Sequence, residues 1–133
     1  MSGYQVAVRE IGNNRLEISN GLATAQTAFG PEPNRFLATE LFLASLGSCM
    51  LATMMYQAAA NGTNLSGASV RVLADSEKNP DRMTNIRVIY RLPSGLGEAK
   101  TASLVRAGNR CKVHATIEHH PDFKISVEEF EQK

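Results

Sequence analysis

The sequence predicts a small α+β fold, and three observations carry that expectation. Short alternating apolar stretches separated by turn residues run from Tyr4 to Thr27. An uncharged run of twenty residues follows from Leu41 to Ala60. The remainder switches between strand-like and helix-like periodicity. With 133 residues, one domain spanning 1–133 is expected, or half of a compact dimer.

The N-terminal elements come first. Gln5-Val6-Ala7-Val8, Leu16-Glu17-Ile18 and Leu22-Ala23-Thr24-Ala25 are separated by Gly12-Asn13-Asn14 and Asn20-Gly21. Those separators are hairpin signals, so the segment reads as an antiparallel β-meander. Pro31 and Pro33 then mark a connection. The run from Leu41 to Ala60 ends at Asn61-Gly62, a helix stop. Its length would admit a membrane span, but Ser45, Gly47, Ser48, Thr53 and Gln57 interrupt it. A helix apolar on nearly every face needs burial on every face, which one small chain cannot supply. Ala44, Ser48 and Ala52 form a small-residue line at four-residue spacing, so burial between two subunits is expected.

Beyond Gly62, Ala68-Val70-Val72 and Ile86-Val88-Tyr90 alternate with polar residues and predict two strands, with Asp75 to Arg82 as a loop. Glu98 to Ala107 predicts a helix that stops at Gly108. Asn109 is expected to cap a short helix from Arg110 to about His119, which Pro121 ends. Phe123, Ile125 and Val127 alternate with Lys124, Ser126 and Glu128 and predict a last strand.

Composition excludes several functions. Apolar residues at 43% and charged residues at 20% support a core and exclude disorder. Fourteen basic against thirteen acidic residues, with no run of like charge, disfavour nucleic-acid partners and a membrane anchor. Two cysteines exclude a disulfide-dense secreted scaffold. No signal-peptide pattern is visible in MSGYQVAVRE, so a cytoplasmic location is expected.

The two cysteines are the candidate chemistry. Cys49 lies mid-helix and reads as shielded, whereas Cys111 is placed at the second position of a helix, where unpaired N–H groups favour a thiolate. An ordinary thiol is only about 3% ionised at neutral pH, and a pKa near 6 would raise that to roughly 90%. On this argument Cys111 is the more acidic of the two. His114, His119 and His120 could join Cys111 around zinc, but no second cysteine stands at ligand spacing, so no metal is expected.

Ala38-Thr39-Glu40-Leu41-Phe42-Leu43-Ala44-Ser45-Leu46-Gly47-Ser48-Cys49 resembles the cysteine-bearing helix of the OsmC/Ohr superfamily. Arg110-Cys111-Lys112-Val113-His114 resembles that family's second cysteine motif, with Lys112 where a proline usually stands. Element order extends the likeness over nearly the whole chain. The resemblance implies an OsmC-like fold, an intertwined homodimer and a thiol peroxidase acting on small organic hydroperoxides. Cys49 would be the attacking thiolate and Cys111 the resolving thiol, and an external thiol or dithiol reductant would restore the pair. No bound cofactor is implied.

Two helper groups depart from the family pattern. The glutamate expected ten residues before Cys49 is replaced by Thr39, and Glu40 lies roughly 180° around the helix from Cys49. The early arginine is displaced, leaving Arg15 as candidate, with Arg9 and Arg35 behind it. The sequence thus resembles the less characterised OsmC-like branches. Glu40 alternatively reads as a first-turn acid complementing the helix dipole, and Arg15 as a hairpin charge.

Two other functions stay open. A non-catalytic dimer could bind an apolar ligand among Phe42, Leu46, Met50, Met54 and Met55. A thiol esterase or acyl carrier would need a base beside Cys49, for which His114 is the candidate.

Overall fold

The structure, a computed structural model, describes residues 3–133. Its order is β1 (Ala7–Gly12), β2 (Arg15–Ser19), β3 (Thr24–Ala28), α1 (Ala38–Ala60), β4 (Ser69–Glu77), β5 (Arg82–Arg91), α2 (Glu98–Gly108) and α3 (Lys112–Glu118). This is the expected α+β class. Contacts divide the chain into two compact units, Met1–Ser48 with Ser69–Arg91 and Cys49–Ala68 with Leu92–Lys133.

In the first unit, β1, β2 and β3 form an antiparallel meander in that order. The turn at Gly12-Asn13-Asn14 takes three positive φ angles, 93°, 56° and 59°, which suits glycine and asparagine. At the second turn the Asn20 side chain accepts from the Leu22 and Ala23 amides at 2.9 and 2.8 Å. The chain then returns along β3, where the Ala28 amide donates to the Phe36 carbonyl at 3.1 Å. Glu40 Oε1 accepts from the Leu37 amide at 2.8 Å, half of a capping box that fixes the start of α1.

β4 and β5 form an antiparallel hairpin with a register shift between Leu73 and Asp75. Its polar outer half had read as a loop. Cross-strand charge pairs extend it instead: Arg82–Glu77 at 2.7 Å and Arg87–Asp75 at 3.3 Å. Only Lys78 to Asp81 remains as the turn. A Cβ on Gly47 of α1 would sit 2.8 Å from Val72 Cγ2 of β4, so glycine there permits close packing of helix on strand. Beside it lies a groove of about 450 Å³ lined by Leu43, Ala44, Ser48 and Val70 among others.

Burial along α1 is one-sided. Leu46, Met50, Met54 and Ala58 are buried, while Ala44, Ser48, Ala52, Met55 and Tyr56 are exposed. The chain alone therefore does not bury the helix on every face. The apolar set Phe42, Leu46, Met50, Met54 and Met55 divides likewise: three are core, and Phe42 and Met55 stay exposed. By length and composition α1 could cross a bilayer.

In the second unit the buried residues include Met54, Leu65, Leu104, Ala107 and Cys111. α2 starts after Gly97 (φ 88°) and ends at Gly108, as its sequence pattern predicts. The segment after His119 takes no strand. Phe123, Ile125, Val127 and Phe130 are all at least 83% exposed. The alternation expected of a last strand is present in sequence, but a strand needs a neighbour, and no ladder among the described residues includes it.

Candidate functional site

Cys111 is placed by the way α2 ends. The Asn109 amide donates to Val105, Arg110 to Ala107 and Cys111 to Gly108, so these amides are consumed by the closing turn. Cys111 itself is extended (φ −66°, ψ 150°), and its Sγ accepts from the His114 amide at 3.2 Å. The sulfur thus occupies the position in which a serine or aspartate side chain commonly caps a helix. This corrects the sequence expectation: α3 begins at Lys112, capped by Cys111, rather than at Arg110, capped by Asn109.

The acidity order is also corrected. Cys111 is fully buried and Cys49 only half-buried. Burial pushes the Cys49 thiol up, but the neighbouring Val113 amide, Cys111 thiol and Lys112 amide outweigh it and hold it below the ordinary range. Burial raises Cys111; the His114 amide opposes this, while the hydrogen bond and charge of Cys49 push it further up. Cys49 therefore ionises first, with Cys111 as its thiol donor. Thr53 Oγ1 also donates to the Cys49 carbonyl at 2.8 Å.

The His114 ring faces away from this chemistry. Its Nδ1 lies 3.0 Å from the Asn109 carbonyl, which only accepts, so Nδ1 carries a proton there. Its Nε2 lies 3.6 Å from Glu118. Neither nitrogen is directed at Cys49 as a base. Among the described residues no three His, Cys, Asp or Glu side chains converge as metal ligands.

The other candidate residues belong to the first unit. Arg15 Nε donates to Glu32 Oε1 at 2.9 Å, and Arg35 Nη1 donates to the same oxygen at 3.0 Å. Arg35 Nε also donates to Gln26 Oε1 at 2.7 Å. Arg9 pairs with Glu17 across β1 and β2 at 2.8 Å. Glu40 serves the Leu37 amide. So the two cysteines meet each other, while Arg15 and Arg35 meet over Glu32.

Sequence reasoning missed Glu32, Thr53 and the two amides. Thr53 was readable, since four residues beyond Cys49 is one helical turn on the same face. Glu32 sits between two prolines with no periodic signal, and a backbone amide has no signature in sequence.

The family model described as OsmC-like protein matches residues 31–126. An OsmC-like protein from Mycoplasma pneumoniae shares the fold with a TM-score of 0.80 at 17% identity, covering 90% of this chain and 89% of that one. An organic hydroperoxide resistance protein OsmC from Legionella pneumophila gives 0.65 at 17% identity, covering 90% and 93%. The organic hydroperoxide resistance protein OhrB of Bacillus subtilis gives 0.60 at 14% identity, covering 90% and 93%. No curated protein matches the chain.

Proposed function

The chain belongs to the OsmC-like protein family, and from that premise we propose that it is a thiol peroxidase reducing organic hydroperoxides. One feature carries the reading: Cys49 and Cys111 are neighbours that act on each other's ionisation, with Cys49 held below the ordinary thiol range and the buried Cys111 above it. Two structural neighbours are described as organic hydroperoxide resistance proteins, which is consistent with this chemistry.

The Cys49 thiolate attacks the distal peroxide oxygen, the O–O bond breaks, and the alkoxide leaves as alcohol after taking a proton. Cys49 becomes a sulfenic acid. Cys111 then attacks that sulfur, forming the Cys49–Cys111 disulfide and releasing water. An external dithiol reduces the disulfide and is itself oxidised. Every electron passes through sulfur, so the cycle needs no bound cofactor.

A homodimer belongs to the same proposal. The exposed apolar face of α1 around Ala52, Met55 and Tyr56 calls for a cover, and a second copy in the cytoplasm supplies one. That exposed face also favours a second reading, a dimer that binds an apolar ligand without chemistry.

One equivalent of an organic hydroperoxide, added to reduced protein, separates the readings. The peroxidase loses two thiols within minutes and two mass units overall. Cys111→Ser traps a sulfenic acid on Cys49. An unchanged thiol count removes the enzyme and leaves ligand binding.

A further inference from the structure

α3 has little besides its ends to hold it. It spans seven residues, about two turns, and none of them is fully buried. Helices shorter than about 12 residues are marginal in water unless something else supports them. No acidic side chain stands in its first turn and no basic one in its last. Its own side-chain bonds are peripheral: Thr116 Oγ1 donates to the Lys112 carbonyl at 2.8 Å, and His114 Nε2 lies 3.6 Å from Glu118. The Ala115 amide makes the first bond of the helix, to the Cys111 carbonyl at 3.0 Å. The His114 amide comes one residue too early for such a bond, and Cys111 Sγ accepts it at 3.2 Å.

The atom that caps α3 is therefore also the atom that the proposed cycle oxidises. In that cycle the two thiols lose two electrons to the hydroperoxide: Cys111 Sγ bonds to Cys49 Sγ, water leaves, and a dithiol later returns both to thiols. We infer that this oxidation uncaps α3: the Cys111 thiol holds the first turn closed, and the disulfide releases it. Sulfur is a weak acceptor even in a thiol, so the cap has little strength to lose. Once bonded to Cys49, the sulfur takes its position from α1 instead of from the turn that closes α2. A disulfide also cannot ionise, and with the ionisable proton goes the charge that would strengthen the acceptor.

The release has a use in the cycle. Cys111 is fully buried in the structure, out of reach of an external dithiol. Uncapping loosens residues 112–115 and opens the disulfide to the reductant. Reduction restores the thiol, and the turn closes over it again. The inference rests on the peroxidase reading for the disulfide, whereas the cap itself is testable in the reduced chain.

Amide exchange at His114, followed by NMR, reads the cap directly. Disulfide formation with one equivalent of an organic hydroperoxide should quicken it about fivefold, the effect of an ordinary lost cap. The Asn109 amide, bonded to the Val105 carbonyl at 3.0 Å in the end of α2, should exchange unchanged. Cys111→Ala, kept reduced, should exchange at His114 like the oxidised wild type. Cys111→Ser retains an acceptor and cannot form the disulfide, so its His114 amide should stay slow with or without peroxide.

A disulfide-bonded chain in which His114 exchanges as slowly as in the thiol form overturns the inference. So does a folded Cys111→Ala that protects His114 fully, and the wild-type comparison decides alone if that variant does not fold. Where the hydroperoxide does not react, the thiol oxidant diamide makes the disulfide. Uncapping under diamide alone would keep this inference and remove the peroxidase reading. No Cys49–Cys111 disulfide under either oxidant would overturn both.

Discussion

Cys49 and Cys111 act on each other: the half-buried Cys49 thiol is held below its ordinary range, and the fully buried Cys111 thiol is pushed above it. The asymmetry arises because burial and the neighbouring Cys49 together push Cys111 up against the His114 and Val113 amides, whereas at Cys49 the opposing groups outweigh burial. Burial alone would have left both thiols protonated.

The pH dependence follows with a definite sign. Cys49 is lowered in the fold, so its ionisation stabilises the native state above the unfolded thiol pKa, and that contribution is lost as pH falls through the folded value. Cys111 is raised, so its contribution is present below the unfolded value and lost as pH rises through the folded one. At neutral pH, alkylation should therefore modify Cys49 well before Cys111. Cys111→Ala removes the thiol donor and should move the Cys49 profile to higher pH. Cys111→Ser, which keeps an O–H donor, should move it less. Peptide mass spectrometry across pH checks the order, and Cys111 reacting first would contradict it.

Gly47→Ala sets two effects against each other. Alanine in place of glycine favours a helix interior by about 1 kcal/mol. The new Cβ, however, would lie 2.8 Å from Val72 Cγ2 and 3.3 Å from Val70 Cγ1. Valine is stiff at χ1 and sits in a strand, so neither methyl yields easily, and overpacking costs about 1–3 kcal/mol. The clash should win by about 1 kcal/mol, seen as a lower urea midpoint with an unchanged slope. A higher midpoint would show that β4 moves aside freely.

How much of this was legible in the sequence depends on where the information lay. The three-stranded meander and α2 followed from turn residues and periodicity, because those signals are local. The cysteine-bearing helix was equally plain. The start of α3 was misplaced because the turn closing α2 consumes the Arg110 and Cys111 amides, an event fixed by hydrogen bonding rather than by residue type. That error of two residues reversed the acidity argument. The polar half of the β4–β5 hairpin was hidden because Asp75, Glu77, Arg82 and Arg87 pair only once the strands are opposed. Arg15 was singled out, but its partner Glu32 lies seventeen residues away in a proline-flanked segment.

Glu32 holds two guanidiniums on a single oxygen, Arg15 at 2.9 Å and Arg35 at 3.0 Å. Glu32→Gln leaves two facing cations without a carboxylate and should loosen the connection between β3 and α1. These side chains keep between 22% and 35% of their exposure, so solvent screening limits the cost to about 1 kcal/mol. The same change made in an Arg15→Gln background should cost less, because one cation is already gone. Urea midpoints of the four proteins give the coupling, and strictly additive losses would mean that the three groups do not act together.

The exposed apolar segments bear on assembly. Met55 and Tyr56 of α1 are 50% and 82% exposed, and Phe123, Ile125, Val127 and Phe130 line one long unpaired segment. A solvated monomer rarely tolerates so much continuous apolar surface. The β4–β5 hairpin has only two strands, fewer than a sheet normally needs for independent stability. A second copy that covers α1 and offers an edge to residues 123–127 would satisfy both deficits. Sedimentation at micromolar concentration should therefore give about twice the 14.4 kDa chain mass. Ile125→Lys places a charge where the segment would be buried and should shift the protein towards monomer, whereas a free segment would leave assembly unchanged. Amide exchange separates these outcomes residue by residue: slow exchange at alternate positions from 123 to 127 marks strand pairing, and uniformly fast exchange within an intact dimer places the cover on α1 alone.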